Sequence, residues 1–346
     1  SKRIKDEDVT LAKYTLINTS DAAQSGSIHL TIRPVQINPP WQHGGLASVA
    51  SLDIAPAPRT EGTHVWVNDQ LLAYSVTPVD ASATSRIEDG DIIEFIGRNT
   101  LPDTHKTTDP DQLASGTLVY EFLLEPNERK EVILMCPIDD DSSLALPSET
   151  IHTDSHARAE WYQYHLSSVT QLWHDVLNQT VIEFPDPKVV HTLKSQIAYI
   201  LINQDGQGIQ PGSRNYNRSF IRDGVISASA LIKMNLLKEA DDYINWYANH
   251  AVHPNGLVSP ILNNDGSVNR GFGSDLEYDS QGELIYLIKY YYEITQDTAF
   301  LETYYPAVKK ALGFLAELRQ RTLEPGYMEH EAHPKRFRGI LPPSIS

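Results

Sequence analysis

The 346-residue sequence predicts a multidomain β + α protein: an N-terminal antiparallel β-sandwich, a linker helix, then helical hairpins arranged as an α/α toroid. Three observations carry that expectation. Residues 1–150 hold short alternating or apolar runs separated by turn residues. Residues 151–185 hold one long polar helical period. From 186 to 346, apolar residues recur at spacings of three and four, in stretches joined by loops of very unequal length.

The strands expected are Val9–Ile17, Ser27–Val35, Thr63–Val67, Asp91–Ile96, Leu118–Leu124 and Glu131–Met135. Clusters such as Asn38-Pro39-Pro40, Asp89-Gly90 and Glu125-Pro126-Asn127 separate them, and no helical period of useful length competes. The one cysteine, Cys136, ends an apolar run and reads as a buried strand residue. No intrachain disulfide is possible, and neither a thiol site nor a zinc site is expected.

Ser155 to Asn178 places Trp161, Tyr164, His165, Val169, Leu172 and Val176 at helical spacing, as in a linker helix packed on both domains. Five further helices are expected: Val189–Asn203, Arg222 or Asp223 to Met234, Leu237–Ala251, Gln281–Thr295 and Asp297–Arg321. Caps are expected from Asp186 before Pro187, from Asp279 or Ser280 with Glu283, and from Thr295 or Asp297. The turn near Asn235 is tight, whereas Asn203–Ser219 and His253–Ser280 are long and rich in Gly and Asn. Helical hairpins with tight turns at one end and long loops at the other suggest a toroid with its binding groups on the long loops.

The formal charge is −17, from 28 basic and 45 acidic residues. Such a field repels nucleic acid and anionic lipid and favours neutral or cationic ligands. No apolar run approaches the roughly 18 residues of a membrane span. The chain opens without a signal-peptide pattern, and its compartment stays open.

The most informative stretch is Arg214-Asn-Tyr-Asn-Arg-Ser-Phe-Ile-Arg-Asp-Gly224. The Asp223 carboxylate can accept two hydroxyl hydrogen bonds, the Arg222 guanidinium donates in a fixed fork, and Tyr216 and Phe220 offer flat apolar faces, with Arg218 between them. This is chemistry for a neutral, hydroxyl-rich ligand. The plain alternative is a surface ion pair with Asp223 as a helix cap, which would contribute little. Downstream, Asp275, Glu277 and Asp279 precede another helix. Asp279 is a candidate for substrate contact and Glu277 for a general acid; the plain alternative is acidity that favours the helix dipole.

The architecture and two of these stretches, Asn215–Gly224 and Ser274-Asp-Leu-Glu-Tyr-Asp-Ser-Gln-Gly282, resemble the glucoamylase-like six-hairpin glycosidases. A third, Arg338-Gly-Ile-Leu-Pro-Pro-Ser-Ile-Ser346, is similar to a loop in bacterial members. The resemblance implies an (α/α)6 barrel in which Arg222 and Asp223 hold hydroxyls of the sugar at the non-reducing end and Asp279 lines the pocket. It implies inverting hydrolysis by two carboxyl groups roughly 6.5–9.5 Å apart. Six hairpins need twelve helices and five are expected after the linker, so the resemblance places the family's general acid beyond Ser346. A fragment, one half of a nicked protein and a shortened relative all stay open.

Trp41, after Asn38-Pro-Pro40, is a candidate sugar-stacking residue, with packing against the helical domain the stronger reading. Trp246 and Tyr247 read as core, and Tyr290–Tyr292 as one helix face with its neighbours rather than a cofactor site. Glu329-His330-Glu331 reads as a solvated loop, since adjacent residues rarely converge on one ion. Asp265-Gly266 and Asn255-Gly256 are turns without calcium-loop spacing. No metal or cofactor is expected. The expected partner is an oligosaccharide or polysaccharide, α-glucoside-like by resemblance, with a second chain completing the barrel as one option. A glycoside hydrolase leads; a glycoside phosphorylase, a non-catalytic carbohydrate-binding protein and one half of a split enzyme are the alternatives.

Overall fold

The computed structural model describes residues 9–36, 45–55, 57–58, 60–138, 145–212, 216–270 and 276–344. The chain divides into two compact units, Lys2–Thr170 and Gln171–Ser346.

The first unit is mainly antiparallel sheet. Its strands are β1 (Val9–Ile17), β2 (Gln24–Ile32), β3 (Val35–Gln36), β4 (Leu46–Ala47), β5 (Ser51–Asp53), β6 (Thr63–Val67), β7 (Gln70–Ser75), β8 (Ala81–Ser85), β9 (Lys106–Thr108), β10 (Ser115–Leu124) and β11 (Arg129–Pro137). One sheet runs β1-β11-β7-β6-β5-β9 and another β2-β10-β8. Both supply one apolar cluster, with Leu52, Val65 and Val132 from the first sheet and Leu118 and Tyr120 from the second. Asn68 and Asp69, both at positive φ, turn β6 into β7, the backbone that a two-residue hairpin loop requires. Cys136 lies in β11, partly covered, and burial pushes its thiol pKa up.

One expected strand is a helix. Asp91–Ile96 becomes α1 (Ile92–Gly97), with the Asp91 carboxylate accepting from the Ile93 N–H at 2.9 Å. Only Ile92 is buried there and Ile93 is exposed, so the segment lacks the alternation of a strand. Asp91 also pairs with Arg33 at 2.6 Å, which holds the cap in place. The short strands β5, β7, β8 and β9 have no counterpart among the runs expected from sequence.

Two helices follow, α2 (Glu149–Thr153) and α3 (Ser155–Leu177). The start of this segment is tied to the first unit by a buried histidine. His152 Nδ1 lies 2.9 Å from the Val76 carbonyl, which can only accept, so Nδ1 carries the proton. Nε2 then accepts from the Tyr74 hydroxyl at 3.0 Å, and that hydroxyl accepts from the Gly62 N–H. Trp161 of α3 packs against the first unit's residues Tyr74, Val76, Ile133 and Met135, and Trp173 and Val176 pack in the second unit's core. Tyr164 of the same helix is exposed.

The second unit is helical: α4 (Pro187–Ile202), α5 (Ile221–Lys233), α6 (Leu237–Ala251), α7 (Asp279–Thr295) and α8 (Thr298–Arg321). Asp186 caps α4 through the Lys188 N–H, and Asp297 caps α8 through the Phe300 N–H. Among the described residues no side chain caps α7: it begins at Asp279, after Tyr278, which makes no capping bond, so the expected capping box does not form. The α5–α6 turn is tight because Asn235 takes a left-handed φ of 61°. α5 packs against α6 and α7, and α7 against α8. Trp246, Tyr247 and Tyr291 are buried in that core. Among the described residues, no helix is long and apolar enough to cross a membrane.

The two long loops are joined to each other. β14 (Ser219–Phe220), in the loop before α5, pairs with β15 (Ile261–Leu262), in the loop before α7. The hairpin of β12 (Gln204–Asp205) and β13 (Gly208–Ile209) is linked to the later loop by side-chain amides: Gln210 donates to Asn264, which donates to Asp205. Ser219 closes the set by donating to the Ile209 carbonyl.

The start of α5 is fixed further by a close approach to α6. A methyl group at Gly224 would sit 1.8 Å from the buried Tyr243 hydroxyl. Gly224→Ala is therefore expected to destabilise the helical unit by about 1–3 kcal/mol, as overpacked sites do. Thermal denaturation checks this, and an unchanged melting temperature would contradict the packing described.

Candidate functional site

α5 starts one residue before the Arg-Asp pair, and its start is set by backbone pairing rather than by a side-chain cap. Phe220 occupies the cap position without a capping bond, and the Ile221 N–H donates to the Pro260 carbonyl. Arg222 and Asp223 thus lie inside the first helical turn. Asp223 is not the cap that the plain reading assigned to it.

Arg222 reaches across to the start of α7. Its Nη2 donates to Asp279 at 2.7 Å and to Glu277 at 2.8 Å, and its Nε donates to Asp279 at 3.2 Å. A third carboxylate, Glu283, lies 3.7 Å from Nε. Glu283 follows Asp279 by four residues and so shares its helix face. The Nε and Nη2 donors face the start of α7, and among the described residues the two Nη1 N–H groups have no hydrogen-bond partner. Hydrogen bonding to Asp279, chiefly, raises the Arg222 pKa, with the charges of Asp279, Glu277 and Glu283 adding to it.

Exposure decides what this cluster is worth. Arg222 and Asp279 are 48% and 47% exposed, so their pairing contributes little to stability. Glu277 and Glu283 are only 17% and 21% exposed. Burial, first, and the neighbouring charge of Asp279, second, push the Glu283 pKa up to about 7; Arg222 opposes that shift, while Glu277 and Asp223 add to it. Among the described residues, Glu283 Oε2 is buried without a hydrogen-bond partner. The hydroxyls of Tyr243 and Tyr247, both fully buried on α6, sense the Glu283 charge, and Tyr243 senses Asp223 as well. Burial raises both tyrosine pKa values, so they stay neutral donors. One guanidinium thus faces a surplus of carboxylates, a setting that disfavours an anionic ligand.

The upstream side chains form a second group. Tyr216 is exposed and its ring centroid lies 5.7 Å from that of Phe220. The Arg218 guanidinium sits over the Phe220 ring at 5.3 Å, a cation–π geometry. The structure therefore brings Arg222, Glu277 and Asp279 together, and Tyr216, Arg218 and Phe220 together. Trp41 lies outside the described residues, as do Arg214, Asn215 and Asp275.

No protein-family model matches the chain, and no curated protein matches it by sequence. Solved structures do match. A bacterial glucoamylase complexed with acarbose superposes with a TM-score of 0.52 at 13% identity, covering 90% of this chain and 50% of that one. The fold is therefore like that of this glucoamylase. A putative kojibiose phosphorylase from the human microbiome aligns at 12% identity over 88% of this chain and 40% of its own, with a TM-score of 0.40. A wild-type glycosidase aligns at 16% identity over 40% of this chain and 43% of its own, with a TM-score of 0.33. The chain spans half the length of the glucoamylase or less of the others.

The residue that sequence reasoning missed is Glu283. Its position three residues after Ser280 suggests a capping box, yet it faces Arg222 instead. The usable signal was its spacing of four from Asp279, which puts both on one face.

Glu283 makes stability depend on pH with a defined sign. Its folded pKa of about 7 lies above the ordinary 4.5. The folded state binds that proton more tightly, so its contribution is fully present below about pH 4.5 and lost as pH rises through about 7. The loss is on the order of 1–3 kcal/mol. Glu283→Gln is expected to flatten the fall in melting temperature between pH 5 and pH 8; a slope equal to that of the unaltered protein would contradict the shift.

Proposed function

We propose that the protein is a glycoside hydrolase that grips the non-reducing end of a neutral saccharide at the Arg222 cluster. The frame we infer is a β-sandwich over residues 1–150, a linker at 151–185 and the first part of an α/α toroid over 186–346. The observation that carries the reading is the Arg222 guanidinium held between Glu277 and Asp279, next in sequence to the exposed Asp223, with two Nη1 donors unpaired among the described residues. Carboxylates that accept paired hydroxyls and a fixed donor fork suit a sugar. Tyr216, Phe220 and Arg218 would supply the adjoining face.

Hydrolysis needs a carboxyl that holds a proton near neutrality. Glu277 is engaged by Arg222, whereas Glu283 keeps its proton up to about pH 7. We therefore assign proton donation to Glu283 ahead of Glu277. An inverting scheme pairs that acid with a second carboxylate that activates water from the opposite face. An α-glucoside is the substrate class the fold suggests, since the matched bacterial structure is a glucoamylase in complex with acarbose.

A second reading is favoured by one observation: the chain spans only 50% of that glucoamylase. In it, the present residues bind the saccharide and the remaining catalytic carboxyl comes from elsewhere, including a second chain. Product analysis separates the two readings. Proton NMR of the first-formed anomer should show inversion if the protein hydrolyses alone; saccharide binding without turnover supports the second.

Calorimetry with a panel of mono- and disaccharides tests the grip itself. Asp223→Ala is expected to weaken binding by roughly tenfold to a hundredfold, the worth of a hydrogen bond to a charged group, with an unchanged melting temperature because the side chain is exposed. Full affinity in that variant would refute the assignment.

A further inference from the structure

The first unit carries a second arrangement of the same chemistry, on residues the Arg222 cluster does not use. Trp66 of β6 points to the outer face of the six-stranded sheet and is 41% exposed, while its neighbour Val65 is buried. Strand register places Asp53 of β5 directly opposite Trp66, and Lys106 of the edge strand β9 directly opposite Asp53. Aromatic, carboxylate and ammonium thus stand in one row across three adjacent strands. Directly paired positions on one sheet face are about 4.5–5.5 Å apart. The Lys106 ammonium donates to Asp53 at 2.7 Å, which orients both groups and leaves further donors on the ammonium.

The row lines a shallow cavity of about 230 Å3, with Asp69 from the β6–β7 turn on its rim. Ligand pockets start at about 300 Å3, so this one takes a single small ring rather than a drug-sized molecule. His64 stacks beside Trp66 on the same strand, with ring planes 16° apart and centroids at 6.2 Å. The aromatic surface therefore extends along β6 beyond the cavity.

We propose that this row is a surface site for a neutral polysaccharide, with the Trp66 ring stacking on one sugar and Asp53, Asp69 and Lys106 hydrogen-bonding its hydroxyls. An aromatic face next to fixed polar groups matches the two surfaces of a pyranose ring, one of C–H groups and one of hydroxyls. The ammonium is already paired with Asp53 and the whole chain is strongly acidic, which disfavours anionic polymers and nucleic acid. The choice of ligand class rests on the saccharide reading of the protein, while the residues are independent of it. Such a site would hold a long glycan on the β unit and leave short sugars to the Arg222 cluster.

Affinity electrophoresis through gels containing soluble starch, dextran, xylan or mannan tests it, with the unaltered protein and the variants Trp66→Ala, Asp53→Asn, Asp223→Ala and Trp66→Ala/Asp223→Ala. Circular dichroism confirms that each is folded. The expected result is retardation by at least one polysaccharide that Trp66→Ala weakens at least tenfold, Asp53→Asn weakens in the same direction, and Asp223→Ala largely retains. Retardation unchanged in Trp66→Ala, retardation abolished by Asp223→Ala alone, or no retardation in any gel would each overturn the proposal. Should the Arg222 reading alone fail, Asp223→Ala would match the unaltered protein in calorimetry while Trp66→Ala still lost its retardation.

Discussion

The Arg222 guanidinium bound by Glu277 and Asp279 is the contact on which the arrangement of the proposed site depends. It joins the first turn of α5 to the start of α7, two helices separated in sequence by α6 and a long loop. Two further constraints make it possible. Pairing of β14 with β15 brings the two loops to one place, and Gly224 lets α5 approach Tyr243 closely enough for the turn to face α7. None of these is a large source of stability by itself; their combined effect is to bring a guanidinium and three carboxylates to one place.

Charge balance is the second consequence. Glu277, Asp279 and Glu283 face one arginine, with Asp223 close enough to act on Glu283, and like charges this close do not all ionise freely. The cluster relieves the repulsion by holding a proton on Glu283, the member that is covered and whose Oε2 has no partner among the described residues. A site arranged this way presents acceptors, a few fixed donors and a proton source near neutral pH. Those are requirements of glycoside hydrolysis, and they are also compatible with sugar binding alone.

Much of this was legible in the sequence. Helical period and caps placed α4 through α8 to within a few residues, because Asp186 and Asp297 are local signals that the structure uses directly. The Arg-Asp motif announced itself by residue type. Asp91–Ile96 misled because an apolar stretch bounded by Asp and Gly reads alike as strand or helix at that length; only the Asp91 cap and the exposure of Ile93 decide it. The short strands β5, β7 and β9 were hidden because two or three alternations are too few to rise above background, and with them went the row of Trp66, Asp53 and Lys106. Glu283 was hidden for a different reason. Its role depends on Arg222, 61 positions earlier in the chain, and no local pattern encodes a contact set by the packing of α5 on α7.

A crystal structure of the protein soaked with a panel of monosaccharides and with acarbose tests the saccharide grip of the Arg222 cluster directly. The expected result is a sugar ring whose hydroxyls lie within hydrogen-bond distance of the Asp223 carboxylate and of Arg222 Nη1, with the Arg222 contacts to Glu277 and Asp279 intact. A ring bound elsewhere in the helical unit with that cluster untouched, or an Arg222 that swings away from α7 into solvent, would contradict it.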